Sequence, residues 1–250
     1  MALAEIIQHQ RAEIESLPDI SWELAQSERD FLQALTTSRC KPAVIAELKP
    51  KSPSVGTLAS KNYNPIAQAT LYEEGGAAAL SVLTEQHYFG GKFADLTAAR
   101  HATKLPVLCK DFILSIKQVK LARQAGADAV LLIVAALDQA ELVNLKQAIE
   151  ALGMLAVIEV HTIDELNRAL LVDSKIILIN NRNLWDLSMH PETTANLLPL
   201  IPKSIPVISA SGLSEIADIK ALPLQVTAVL IGSHLMQQAD PREFLKGLHP

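Results

Sequence analysis

The feature that most constrains this chain is a repeat of one unit. Short β-branched or apolar runs recur along its 250 residues: "AVIAEL", "AALSVLT", "PVLCKD", "AVLLIV", "LAVIEV", "IILIN", "PVISA" and "AVLIG". They begin near Ala43, Ala78, Pro106, Ala129, Leu155, Ile176, Pro206 and Ala228. Between them lie segments of helical periodicity, among them "PIAQATLYEEGG", "SIKQVKLARQAGAD", "DQAELVNLKQAIEALG" and "TIDELNRALLVD". Apolar strands alternating with helices form a parallel sheet covered on both faces. Eight such units in a chain of this length fit an α/β fold of the closed (β/α)8 barrel type. An open doubly wound sheet is the alternative, but no GxGxxG follows the first strand. The first forty residues form an amphipathic helical stretch broken at Pro18. The expected organisation is one domain: residues 1–42 a helical extension capping the barrel, and 43–250 the barrel itself.

Composition narrows the partners. A hydrophobic content of 49% with 20% charged residues is globular. The net charge of −5 carries no nucleic-acid footprint, so any anion site must be local. The longest apolar run, Ala129 to Leu137, is nine residues against the about 20 of a membrane span. The N-terminus has no apolar signal region. A cytoplasmic chain without nucleic-acid or membrane partners is expected, a monomer ahead of an oligomer. Cys40 and Cys109 make no metal spacing, and the seven histidines show no HxH or HExxH. No metal is expected.

In this barrel, functional groups stand at the C-terminal strand ends. Strand one ends in Glu47 and Lys49, two apart and on one face, and runs into Lys51 and Ser52. Strand three ends in Lys110, strand five in Glu159, and strand six in Asn180 with Arg182. Each has a blander reading. Lys49 and Lys51 suit a solvated loop end, and Lys110 with Asp111 suits a surface ion pair. His161 reads as the start of the next helix, and Cys109 alternates towards the helix layer. Glu159 resists such a reading, since a carboxylate inside an apolar strand needs a partner. The bland readings weaken jointly, because all these residues meet at one end of one barrel. "SASGL" and "IGS" then offer Ser211, Gly212, Gly232 and Ser233 after strands seven and eight, where this barrel recurrently binds phosphate. A small phosphorylated substrate is expected.

"IAELKPKSPSVG", "GGAAALSVLTEQHYFGG", "PVLCKDFI", "VIEVH", "INNRNL", "SASGL" and "LIGSHLM" together make the chain resemble the indole-3-glycerol phosphate synthase family, over essentially its whole length. The resemblance implies closure of 1-(o-carboxyphenylamino)-1-deoxyribulose 5-phosphate to indole-3-glycerol phosphate, with loss of CO2 and water and without cofactor or metal. It implies Lys110 as general acid on the ketose oxygen and Glu159 in proton transfer during dehydration. Glu47 and Lys49 match the family's strand-one pair. Asn180 and Arg182 match its orienting and anion-neutralising residues; Lys51 and Ser52 fall in the substrate-binding loop. Phe89 and Phe112 suit either packing of the substrate's aromatic ring or the core. Two positions depart from the family: Ala210 stands where it has an active-site glutamate, and Leu178 where it has glycine. Missing carboxylate charge at 210 is expected to depress the pKa of Lys110. A catalytically impaired paralogue that only binds a phosphorylated ligand is the alternative. The pathway's neighbouring sugar-phosphate isomerase fits less well, since a cysteine base is expected on strand one, where this chain has Glu47 and Lys49.

Overall fold

The computed structural model describes residues 3–27, 29–59 and 63–249. Eight parallel strands close into a barrel: β1 (Ala43–Leu48), β2 (Ala79–Leu83), β3 (Val107–Lys110), β4 (Ala129–Ile133), β5 (Leu155–Val160), β6 (Ile177–Asn180), β7 (Val207–Ala210) and β8 (Val226–Ile231). Closure is made by β1, which pairs with β2 through Ile45 and Ala79 and with β8 through Ala43 and Ala228. β1 to β7 are buried almost throughout, because alternate residues face the barrel interior and the helix layer, and both are dry. That double burial is why the strands read as unbroken apolar runs, and their positions agree with the sequence reading to within one or two residues.

The helices are α1 (Leu3–Ser16), α2 (Phe31–Thr36), α3 (Pro65–Glu74), α4 (Phe93–Ala102), α5 (Ile116–Ala125), α6 (Gln139–Ala151), α7 (Ile163–Leu170), α8 (Thr193–Leu197), α9 (Ile216–Lys220), α10 (Ser233–Gln237) and α11 (Pro241–Leu248). Their starts are chemically marked. Asn64 accepts from the amides of Ile66 and Ala67 ahead of Pro65, and Asp138 with Glu141 forms a reciprocal capping box. Gly126 ends α5 at φ +100°, a left-handed turn that a side chain would strain. The helices after β6, β7 and β8 are only five residues each; a long loop follows β6, whereas Gly232 alone joins β8 to α10. After β1, Lys51–Ser52 and Gly56–Thr57 pair as a small antiparallel hairpin that the sequence reading did not anticipate.

The N-terminal segment makes two helices. The first stops before Pro18, as expected; the second, α2, starts at the Asp30 cap and buries Phe31 and Leu35 against β1, β2 and β8. α1 reaches the opposite end and lies over the barrel mouth, with Leu3 and Ile6 among the residues lining the chamber there. Its anchor is Gln10, whose Nε2 donates to Asp111 Oδ1 at 2.6 Å. Asp111 also accepts from Thr84 Oγ1 at 2.6 Å and from the Phe112 amide at 2.7 Å. It is therefore a buried junction between α1, β2 and β3, and not the surface partner of Lys110.

Burial pushes the Asp111 carboxyl up to about 7, against the donors that favour its ionised form. A folded-state value above the unfolded one means that the contribution is full below about pH 4 and is lost as pH rises through about 7. The parent protein should lose stability across that window, by at most roughly 4 kcal/mol at ~1.4 kcal/mol per pKa unit. Asp111→Asn keeps the shape without the titration, and its urea midpoint should fall less steeply than the parent's between pH 4 and 7. Parallel slopes for parent and variant would show that Asp111 is ordinary.

Candidate active site

Glu47 is the first element of the site. It sits on β1 beneath the mouth, 1% exposed, and its two oxygens are shared by two ammonium groups. Lys49 Nζ lies 2.8 Å from Oε1 and Lys110 Nζ lies 3.0 Å from Oε2, with Ser81 Oγ donating to Oε2 at 3.3 Å. β1 places Glu47 and Lys49 on one face, and β2 brings Ser81 into register with Glu47. Burial alone would raise the Glu47 carboxyl, but the two lysines outweigh it and hold it at about 2. Gly232 closes against this carboxylate: a Cβ there would collide with Glu47 Oε1.

Burial works against the charged form of Lys110 too. Glu47 and Glu159 overcome it, and the Lys110 pKa rises above the ordinary lysine value. This corrects the depression expected from Ala210. Glu47 pairs with Lys110 directly and Glu159 acts at longer range, and together they outweigh burial without a third carboxylate. Ala210 is 2% exposed and in register with Asn180, and Leu178 is fully buried in register with Glu159, so apolar side chains occupy both positions.

Glu159 is the second carboxylate. Its Oε1 accepts from Asn180 Nδ2 at 3.1 Å, and His161 Nε2 lies 3.3 Å from the same oxygen. Desolvation would raise its pKa, but His161, Lys110 and Asn180 bring it below the usual carboxylate value. Asn180 is oriented at its other end, where Oδ1 accepts from the Arg182 amide at 3.0 Å and from Ser211 Oγ at 2.8 Å. Arg182 Nη1 donates to Leu187 O at 2.8 Å, which fastens the guanidinium to the loop after β6. One amide side chain thus links the ends of β5, β6 and β7.

The chamber has an apolar and a polar half, and the apolar half measures about 780 Å³ including its open mouth. Phe89 and Phe112 line it with ring centroids 6.2 Å apart, joined by Leu131, Ile133, Leu184 and Leu187 and roofed by Leu3 and Ile6. The backbone carrying Phe89 is fixed by buried Glu85, which accepts from the amides of His87, Tyr88 and Phe89 at 2.8–3.0 Å. The polar half is lined by Ser211, Gly212, Gly232 and Ser233, with Lys49, Ser52, Lys110 and Arg182 on the wall shared with the apolar half or facing it. Only Gly232-Ser233 directly precedes a helix; Ser211-Gly212 stands in a loop ahead of α9.

All but one of the residues singled out in the sequence converge here. Lys51 does not: the hairpin turns it outward, where it is exposed and its Nζ lies 3.5 Å from His87 O. Sequence reasoning missed Ser81, Glu85, Leu3, Ile6 and His161. The signal for His161 was available, since it follows Glu159 by two positions and shares its face. Among the described residues there is no cluster of three or more His, Cys, Asp or Glu side chains arranged to hold a metal ion, and no helix long and apolar enough to cross a membrane. Cys40 and Cys109 are both free and buried.

Comparison with known proteins agrees with this geometry. The family model described as indole-3-glycerol phosphate synthase matches residues 3–248. The chain is 46% identical to the indole-3-glycerol phosphate synthase of Parafrankia sp. (strain EAN1pec), over 89% of this chain and 84% of that one. It is 42% identical to the synthase of Acidithiobacillus ferrooxidans (strain ATCC 53993 / BNL-5-31), over 98% and 97%. Among solved structures, KGPDC from Streptococcus mutans superposes with a TM-score of 0.63 over 83% of this chain and 95% of that chain, at 14% identity, a likeness of fold alone. Neither relative lends support to a binding protein without turnover. The chain belongs to the indole-3-glycerol phosphate synthase family, the decarboxylating carbon–carbon lyases of tryptophan biosynthesis.

Proposed function

We infer that the chamber divides the synthase reaction among Lys110, Glu47, Glu159 and the loops after β7 and β8. The observation that carries this reading is the Lys110 ammonium, held on Glu47 at the border between an aromatic pocket and an anion-binding half. A substrate with an aryl carboxylate at one end and a phosphate at the other spans such a chamber. The phosphate is taken by the backbone N–H groups and hydroxyls of Ser211, Gly212, Gly232 and Ser233. The aryl ring lies against Phe89 and Phe112, and the ketose carbonyl falls between, beside Lys110. Lys49 and Arg182 neutralise anionic groups, Asn180 orients the chain, and Ser52 adds a hydroxyl donor.

The ring carbon bearing the carboxylate attacks the ketone carbon. As the C–C bond forms, the carbonyl electron pair moves to oxygen, which takes a proton from Lys110. Loss of CO2 returns its bonding pair to the ring and restores aromaticity. The new hydroxyl then leaves as water with a second proton from the lysine pair on Glu47, and Glu159 collects the proton released from the methylene carbon beside the nitrogen. With the substrate carboxylate ionised, one proton is taken up from solvent per turnover. Glu47, held at about 2 by the two charged lysines, serves as their counter-charge.

Two measurements test the reading. Lys110→Ala should lower kcat by at least ~10²-fold, as loss of a general acid does, with a smaller change in KM. The fold should survive, since Glu47 keeps Lys49 and Ser81; near-parental turnover would remove Lys110 from the mechanism. A crystal grown in phosphate should show the anion within hydrogen-bond distance of the Ser211-Gly212 and Gly232-Ser233 amides. A well-occupied anion elsewhere in the chamber, with these loops turned away, would contradict the assignment.

A further inference from the structure

His161 stands behind the proposed base with a carboxylate oxygen close to each ring nitrogen: Nδ1 is hydrogen-bonded, while Nε2 is buried without a hydrogen bond and in charge contact only. Its side chain is buried between two carboxylates, with Nδ1 3.0 Å from Glu165 Oε2 and Nε2 3.3 Å from Glu159 Oε1. A neutral imidazole has one N–H and one lone pair, so one nitrogen would turn its lone pair towards a carboxylate oxygen. In a buried site that is repulsive, and the imidazolium removes the conflict. The ring cannot swing away easily. Glu165 Oε2 also accepts from the His161 amide at 2.8 Å, and the Glu165 amide is itself capped by Thr162 Oγ1 at 3.2 Å. The start of α7 therefore fixes the ring, and β5 brings Glu159 to it.

We propose that His161, locked by Glu165, is a positioning residue whose fixed positive charge keeps Glu159 ionised and aimed into the chamber through the catalytic cycle. The proposal rests on Glu159 acting as the base described above. The groups facing Glu159 are His161 just beyond the end of β5, Lys110 from β3 and the Asn180 amide from β6; His161 faces Glu159 and Glu165. Of the two cations, Lys110 spends its proton on the ketose oxygen and is shared with Glu47. Once Lys110 is neutral, His161 is the cation left beside Glu159, and a buried carboxylate without it would take up a proton early. Desolvation lowers the His161 pKa less than the two carboxylates raise it, and it is pushed up to about 9, so the charge persists across neutral pH.

The test compares the full-length parent with His161→Gln, Glu165→Gln and Glu159→Gln, reading kcat and KM against pH together with the NMR titration of the His161 ring. Glutamine at 161 retains a donor and loses the charge. The acid limb of kcat should then move up by about one pH unit or more, while KM changes by less than about threefold. Glu165→Gln should shift the limb the same way by less. In the parent the His161 ring should titrate well above its ordinary value, and that value should fall in both glutamate variants. An unmoved acid limb together with a His161 ring titrating in the ordinary histidine range would overturn the proposal and leave His161 a helix-start residue. Full turnover in Glu159→Gln would overturn the base reading itself, and the catalytic meaning of His161 with it. The NMR titration would still decide whether the ion pair exists.

Discussion

One buried carboxylate organises the active end of this barrel. Glu47 is removed from water and would be costly alone, yet Lys49 and Lys110 meet its two oxygens at 2.8 and 3.0 Å. Removing one partner of a buried ion pair typically costs about 3–5 kcal/mol, because the remaining charge is left unsolvated. The three side chains therefore hold one another in place, and strand geometry supplies the rest: Glu47 and Lys49 share a face of β1, with Lys110 at the end of β3. The result is an ammonium held in its charged form at the border between the two halves of the chamber. Gly232 belongs to the same construction, since its missing side chain lets β8 pass against Glu47.

The two chamber carboxylates are kept ionised by different surroundings. Glu47 is neutralised by two lysines and is too acidic to take a proton near neutral pH. Glu159 is held below the usual carboxylate value by His161, by the more distant charge of Lys110 and by the Asn180 amide. Asn180 ties the two regions together, because the same side chain donates to Glu159 and accepts from Ser211 at the edge of the anion half. The ends of β5, β6 and β7 thus share one hydrogen-bond chain.

Much of this was legible in the sequence for a simple reason. Parallel barrel strands are dry on both faces, so a polar residue at their C-terminal end stands out against an apolar run, as Glu47, Lys110, Glu159 and Asn180 do. What the sequence hid depends on directions and distances. Lys51 reads like Lys49 until the hairpin is seen to turn it outward. The amphipathic pattern of α1 says that one face is apolar, but not that Leu3 and Ile6 roof the chamber. The raised pKa of Lys110 could not be inferred from Ala210, since it depends on how closely Glu47 approaches. His161 was misread because a histidine beside a helix start has an ordinary explanation, and its phase with Glu159 was the overlooked signal.

The central claim, that Glu47 holds Lys110 in its protonated form, is most directly tested by the pH dependence of kcat in Glu47→Gln. Glutamine preserves the volume and an acceptor oxygen but deletes the first of the charges that raise the Lys110 pKa. Parent turnover should show its alkaline limb above the ordinary lysine range. In the variant that limb should begin at a clearly lower pH, with a reduced plateau. An alkaline limb at the same pH in both proteins would contradict the account, because Lys110 would then owe its charge to something other than Glu47.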